Sequence, residues 1–221
     1  MKLYIIFPKD STTDFLEEIV NYLEDNLITS SIKVFRLKSE ADHRLILDNG
    51  QALFSEDSTV LFMGHGMSSA ISGALTIDYN HGVLIQETEL SLFQKRRLIL
   101  LSCRSNEFIL KYSWGAKLKG SIGFPNLVTD DYDRYGTEDR WINEVTERDI
   151  ENYRNDIVDV LKYSLEDYLE QKLSFFQLYK RIKLRAQRKL ISYCKTLPNS
   201  NRTAYWHMLN DLSHGVVITG N

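Results

Sequence analysis

The sequence predicts an α/β fold: a mainly parallel sheet flanked by helices, running on into a helical C-terminal half and a late strand. Three observations predict it. Short apolar runs of the kind buried on both faces of a sheet alternate with helix-periodic segments through the first half of the chain. Several of these runs stop abruptly at Gly or Pro, as strands do when they leave a sheet. Beyond Pro125 the apolar spacing changes to a helical period that lasts for about fifty residues.

Taken in order, Leu3–Phe7 is a continuous apolar strand ended by Pro8. Ser11 or Thr12 is placed to cap a helix whose Phe15, Ile19 and Leu23 share one side. Ile32–Leu37 is a second strand, and Thr59–Met63 a third, leading into Gly64-His65-Gly66. Ala74–Asp78 and Val83–Gln86 flank Tyr79-Asn80-His81-Gly82 as a small hairpin, which makes His81 a turn residue. Thr88–Lys95 is a short amphipathic helix. Arg97–Ser102 is the fourth core strand, ending at Cys103, and Ser105 or Asn106 is placed to cap the helix after it. Gly120–Phe124 is the fifth strand. Residues 1–125 thus form an α/β core, and residues 126–221 an acidic loop, a helical extension and a terminal strand at Val216–Thr219. Within that extension Ile150, Tyr153, Ile157, Val160, Ser164 and Tyr168 trace one face, Ser174 caps the next helix, and Pro198-Asn199-Ser200-Asn201 breaks it.

Composition narrows the function classes. With 43% hydrophobic and 26% charged residues, the 221-residue chain is globular rather than disordered. A net charge of −3 gives no overall attraction to nucleic acid or anionic lipid. The first apolar run is too short for a signal-peptide core, and no run approaches the roughly 20 residues of a membrane span. Two widely separated cysteines fit a reducing compartment, so the expected address is the cytoplasm. Cys194 is expected to serve packing. His43, His207 and His214 have no ligand spacing with Cys or acids, and neither a metal nor a cofactor is expected.

His65 and Cys103 end consecutive buried strands, at the sheet edge where open α/β folds bind ligands. Cys103 follows His65 by 38 residues, room for one right-handed crossover that sets the two strands side by side. An imidazole beside a thiol can take its proton, and a helix starting near Ser105 would favour the thiolate. The N–H groups of Gly66 and Cys103 are placed to form an oxyanion hole.

Val60-Leu61-Phe62-Met63-Gly64-His65-Gly66 and Leu98-Ile99-Leu100-Leu101-Ser102-Cys103-Arg104-Ser105 resemble the caspase-like cysteine peptidases, the group of caspases, separases, gingipains and bacterial CHAT domains. The resemblance covers residues 1–125. It implies a caspase-like sheet and proteolysis by a His65–Cys103 dyad with Gly66 at the oxyanion hole. It also implies a regulated bacterial signalling or defence protease with a protein substrate and a regulatory protein partner. Many CHAT-type sequences carry Gly where this chain has Asn106. The acidic loop offers Asp130, Asp131 and Asp133 to hold a basic substrate residue, with Asp130 and Asp131 as the substrate-binding pair.

Other readings follow from particular features. Asn106, and the lack of a pocket signature, support a non-catalytic caspase-like interaction module. A nucleotide- or NAD-cleaving domain would need an acid in the same cleft. The basic run from Lys180 to Lys195 is a solvated helix face, a docking surface for nucleic acid or an acidic partner, or a face neutralised by the acid-rich helix at 138–170.

Overall fold

The computed structural model describes residues 2–27, 31–76, 79–130, 133, 140–196 and 203–220. Its centre is a six-stranded sheet built from β1 (Leu3–Pro8), β2 (Ile32–Leu37), β3 (Thr59–Met63), β7 (Arg97–Leu101), β8 (Gly120–Gly123) and β9 (Val217–Thr219). The spatial order is β2-β1-β3-β7-β8-β9, every neighbouring pair being parallel except β8–β9. A smaller antiparallel sheet of β4 (Gly66–Met67), β5 (Ala70–Ser72) and β6 (Val83–Ile85) fills the crossover between β3 and β7.

Successive side chains of a strand face opposite ways, so each central strand feeds two cores. Leu3, Ile5, Leu61, Met63, Ile99, Leu101 and Ile122 pack against α1 (Glu17–Asn26) and the C-terminal helices α4 (Glu147–Glu170), α5 (Phe175–Cys194) and α6 (Ala204–Gly215). Tyr4, Ile6, Val60, Phe62, Leu98 and Leu100 pack against α2 (Glu40–Leu53), the 3₁₀ segment Thr88–Phe93 and α3 (Ser105–Tyr112). Burial on both faces explains why β1 and β3 read as unbroken apolar runs.

The helical half is the outer wall of the first core. The predicted face of α4 is buried, and Tyr168 Oη pins the helix to Thr59 Oγ1 at the start of β3, 2.8 Å away. Ser174 caps α5 reciprocally with Gln177, as the sequence suggests. Three basic residues of α5 reach acids of α4: Arg181 lies 3.8 Å from Asp167, Arg185 reaches Asp167 at 2.8 Å, and Lys189 reaches both Asp156 and Asp159 at 2.7 Å. Among the described residues no helix is long and apolar enough to cross a membrane.

Several expectations are corrected. Neither Ser11 nor Thr12 caps α1, which is entered through the 3₁₀ turn Asp14–Leu16. Helices α2 and α6 were not anticipated; α2 is closed by a Ser39–Asp42 capping box. The hairpin arm opposite β6 is Ala70–Ser72 rather than Ala74–Asp78, of which residues 77 and 78 lie outside the described set. The break at Pro198-Asn199-Ser200-Asn201 also lies outside it. Cys194 does not pack in a core: it is exposed at the end of α5.

Candidate active site

The register of the sheet sets the geometry. β3 and β7 are adjacent and parallel with Met63 opposite Leu101, so His65 and Cys103 each lie two residues past the same rung. Both line a crevice of about 20 Å³ together with Gly64, Ser102 and Leu127. His65 also borders a larger cavity of about 400 Å³, whose walls include Asp10, Thr12, His81, Asp130 and Asp133. A cavity of that size accommodates an amino-acid side chain with its neighbouring backbone.

A hydroxyl–carboxylate relay holds His65. Asp10, buried just beyond β1, accepts at Oδ1 from Thr12 N (2.9 Å) and Thr12 Oγ1 (2.7 Å). Thr12 Oγ1 lies 2.6 Å from His65 Nε2. A hydroxyl has one hydrogen, and this one is given to Asp10, so Oγ1 accepts from an Nε2–H. The basic lone pair of the neutral imidazole is therefore on Nδ1. Asp10 Oδ2 stands 3.6 Å from Nε2, ready to stabilise an imidazolium. The structure puts Thr12, which the sequence suggested as a helix cap, to this use instead.

Cys103 sits in a tight turn. Arg104 after it adopts the left-handed conformation (φ 53°), uncommon for a non-glycine residue and characteristic of sites whose surroundings enforce it. Arg104 N donates to Pro125 O, while Ser105 Oγ shares its one hydrogen between Leu100 O and Ser102 O and accepts from Phe124 N. Ser105 thus stitches the turn together and lies inside the helix, one residue past the Arg104 cap position. Asn106 Nδ2 donates to Gly215 O, tying α3 to the end of α6. The close packing beside residue 106 is met by Gly123, where a Cβ would stand 2.5 Å from Ser105 O and 2.7 Å from Asn106 N.

Gly66 is brought against the same turn: a Cβ there would lie 2.7 Å from Ser102 Oγ. Ser72 N donates to His65 O, so the pair 65–72 is hydrogen-bonded, and by antiparallel alternation the pair Gly66–Ile71 is not. The Gly66 N–H therefore points away from β5.

The thiol is restrained. Cys103 Sγ, 8% exposed, shares its hydrogen between Leu127 O (3.0 Å) and Asp133 Oδ1 (3.4 Å). Burial, then the charge of Asp133, push the thiol well above its ordinary value. Asp133 is itself pushed up, by burial and by Asp130 beside it. Its Oδ2 accepts from Thr129 N, Thr129 Oγ1 and Asp130 N, and Asp130 Oδ1 accepts from Asp133 N. The acidic side of the cavity is thus Asp130, Asp133 and Asp10, while Asp131 lies outside the described residues.

Sequence reasoning missed Asp10 and Thr12, although a carboxylate just past the buried strand β1 lies on the same sheet edge as His65. It also missed a second cluster on the cavity wall. His43 on α2 stacks on His81 with ring centres 4.1 Å apart, and Tyr79 Oη bridges His81 Nδ1 and Glu40 Oε2, each at 2.9 Å. His81 is therefore a packed wall residue, not only a turn residue. Among the described residues no group of His, Cys, Asp or Glu is arranged to hold a metal ion. No model of a known protein family matches this chain, and no curated protein matches it.

Proposed function

We propose that this chain is a caspase-like cysteine endopeptidase that cuts after basic residues, with Cys103 as nucleophile and His65 as general base and acid. The observation that carries the reading is the shared rung: thiol and imidazole project from equivalent positions on adjacent parallel strands into one crevice, with the imidazole tautomer set by Thr12 and Asp10. His65 Nδ1 takes the thiol proton, and the thiolate attacks the scissile carbonyl. The N–H groups of Gly66 and Cys103 receive the oxyanion, which strengthens these bonds as charge develops. The His65 imidazolium, steadied by Asp10, protonates the leaving amine, and water then hydrolyses the thioester. An Arg or Lys side chain on the acyl side of the cut enters the 400 Å³ cavity and meets Asp130 and Asp133. We further propose a cytoplasmic setting and a regulatory protein partner for the helical half.

A peptidyl acyloxymethyl ketone ending in Arg tests this directly. Cys103 Sγ should displace its carboxylate and gain the mass of the peptidyl methyl ketone, at a rate that falls by on the order of 10³-fold in His65→Ala and is lost in Cys103→Ala. An otherwise identical probe ending in Asp should label at least about tenfold more slowly. The second reading is the non-catalytic interaction module, favoured by the burial of the Cys103 thiol. Absence of any Cys103 adduct with probes ending in Arg, Asp or Leu would decide for it.

A further inference from the structure

We propose that Asp133 gates the nucleophile: a cationic side chain entering the cavity takes over the Asp133 carboxylate and so releases the Cys103 thiol to His65. The inference rests on the peptidase reading and adds to it that the substrate's own charge arms the enzyme.

The two oxygens of Asp133 do different work. Oδ2 is anchored by three donors from Thr129 and Asp130, which fix the carboxylate to the loop. Among the described residues, Oδ1 meets only Cys103 Sγ, in a long contact of 3.4 Å. A thiol is a weak donor, whereas a guanidinium or ammonium forms a short charge-assisted bond, so a cation in the cavity wins the exchange at Oδ1. Asp133 lines that cavity, as do Asp130 and Asp10, and nothing on its described walls is a lysine or arginine. The nearby guanidinium of Arg154 is spent elsewhere, on Thr129 O at 2.7 Å and over the Phe15 ring.

Two consequences follow for the thiol. Its hydrogen loses an acceptor, and the negative charge that opposes formation of a second negative charge is neutralised. The step is a proton transfer: the S–H bond of Cys103 breaks, an N–H bond forms at His65 Nδ1, and a thiolate–imidazolium pair results with Asp10 beside the imidazolium. Nothing is oxidised or reduced. With the cavity empty, the same contacts keep the thiol neutral and shielded, which would protect it from adventitious oxidation and alkylation.

The probe is ethylguanidinium, the isolated head of an arginine side chain, and the readout is the iodoacetamide alkylation rate of each cysteine by peptide mass spectrometry at neutral pH. Exposed Cys194 is the internal reference. Each unit by which a thiol's pKa falls raises its thiolate fraction about tenfold but lowers thiolate nucleophilicity, for a net gain of about threefold. Millimolar ethylguanidinium should therefore accelerate Cys103 at least about threefold, with tetramethylammonium without effect and Cys194 unchanged. Asp133→Asn, which keeps an oxygen for the Thr129 and Asp130 donors, should start at the raised rate and gain nothing from the cation. In Asp130→Asn, which removes one carboxylate from the cavity wall, the cation's effect should weaken. An unchanged or slowed Cys103 rate in the native chain with ethylguanidinium overturns the gate, whatever the variants do. Capture by the Arg-ended ketone without this acceleration would leave the peptidase and remove the gate. Acceleration without capture would leave the gate and remove the peptidase.

Discussion

Thr12 has one hydroxyl proton, and its destination decides which nitrogen of His65 is basic. Given to Asp10, that proton forces His65 to carry its own on Nε2 and leaves Nδ1 as the basic nitrogen. Thr12→Val keeps the shape and removes both bonds, leaving the ring free to turn and to change tautomer. Peptide cleavage should fall between about 10- and 100-fold, mainly in kcat, because a misoriented base affects the chemical step more than binding. Thr12→Ser should restore most of the rate and the native pH profile. A loss that Ser does not repair would assign Thr12 to packing rather than to the relay. The thiol follows a similar logic, since its state depends less on its own turn than on what the Leu127–Asp133 stretch presents to it.

Helix α2 meets the hairpin wall through a neutral imidazole as well as through Glu40. Buried His43 donates from Nδ1 to Ser39 O at 2.8 Å and accepts at Nε2 from Ala74 N at 3.1 Å, so both nitrogens are committed in the neutral form. A second ring proton would point at the Ala74 N–H. Burial holds His43 below its ordinary 6.5, and His81 opposes the charge further, against a smaller opposite pull from Asp42, Glu40 and the Ser39 carbonyl. The unfolded chain therefore takes this proton first. Stability from His43 is full above about pH 6.5 and drains as the pH falls toward the lowered folded value, by at most about 1.4 kcal/mol per pH unit. Urea unfolding of the native chain should weaken between pH 7 and pH 5.5 by more than in His43→Gln. Equal losses in both would show that other groups govern the acid limb. This element also marks the limit of the sequence signal. Strands β1, β3 and β7 were legible because burial on both faces demands unbroken apolar runs, and α4 because its buried face repeats from Ile150 to Tyr168, about five turns. Helix α2 buries only His43, Ile46 and Gly50, a stripe too thin to register as a period. That His65 and Cys103 share one sheet edge was legible because their strands are. Thr12 and Asp10 were not, because a Thr before a helical stretch fits a cap as well as a long-range acceptor, and only the β1–β3 pairing brings them to His65.

At the scale of the molecule, the sheet that carries the site is completed by residues from the far end of the helical half. β9 pairs antiparallel with β8, and Thr219 Oγ1 meets Ser121 Oγ at 2.6 Å and Ser113 Oγ at 3.0 Å, so the late strand holds both β8 and α3. A chain ending at Val216 should show a lower urea midpoint and light scattering that grows with concentration, since β8 becomes an open edge. A truncated chain that stays monomeric with an unchanged midpoint would make β9 dispensable. The antiparallel partner also has a consequence for biosynthesis. β8 ends at Gly123 and β9 begins at Val217, 94 residues later. At roughly 5–20 residues per second, the ribosome takes about 5–20 s to deliver the second strand after the first. During that interval β8 is a bare edge on a nascent chain that already carries the thiol, and Asn106 has no Gly215 carbonyl to reach. Whatever chaperone or polysome neighbour meets the chain then meets a sheet one strand short, and the turn that aims Cys103 is finished only when α6 and β9 arrive.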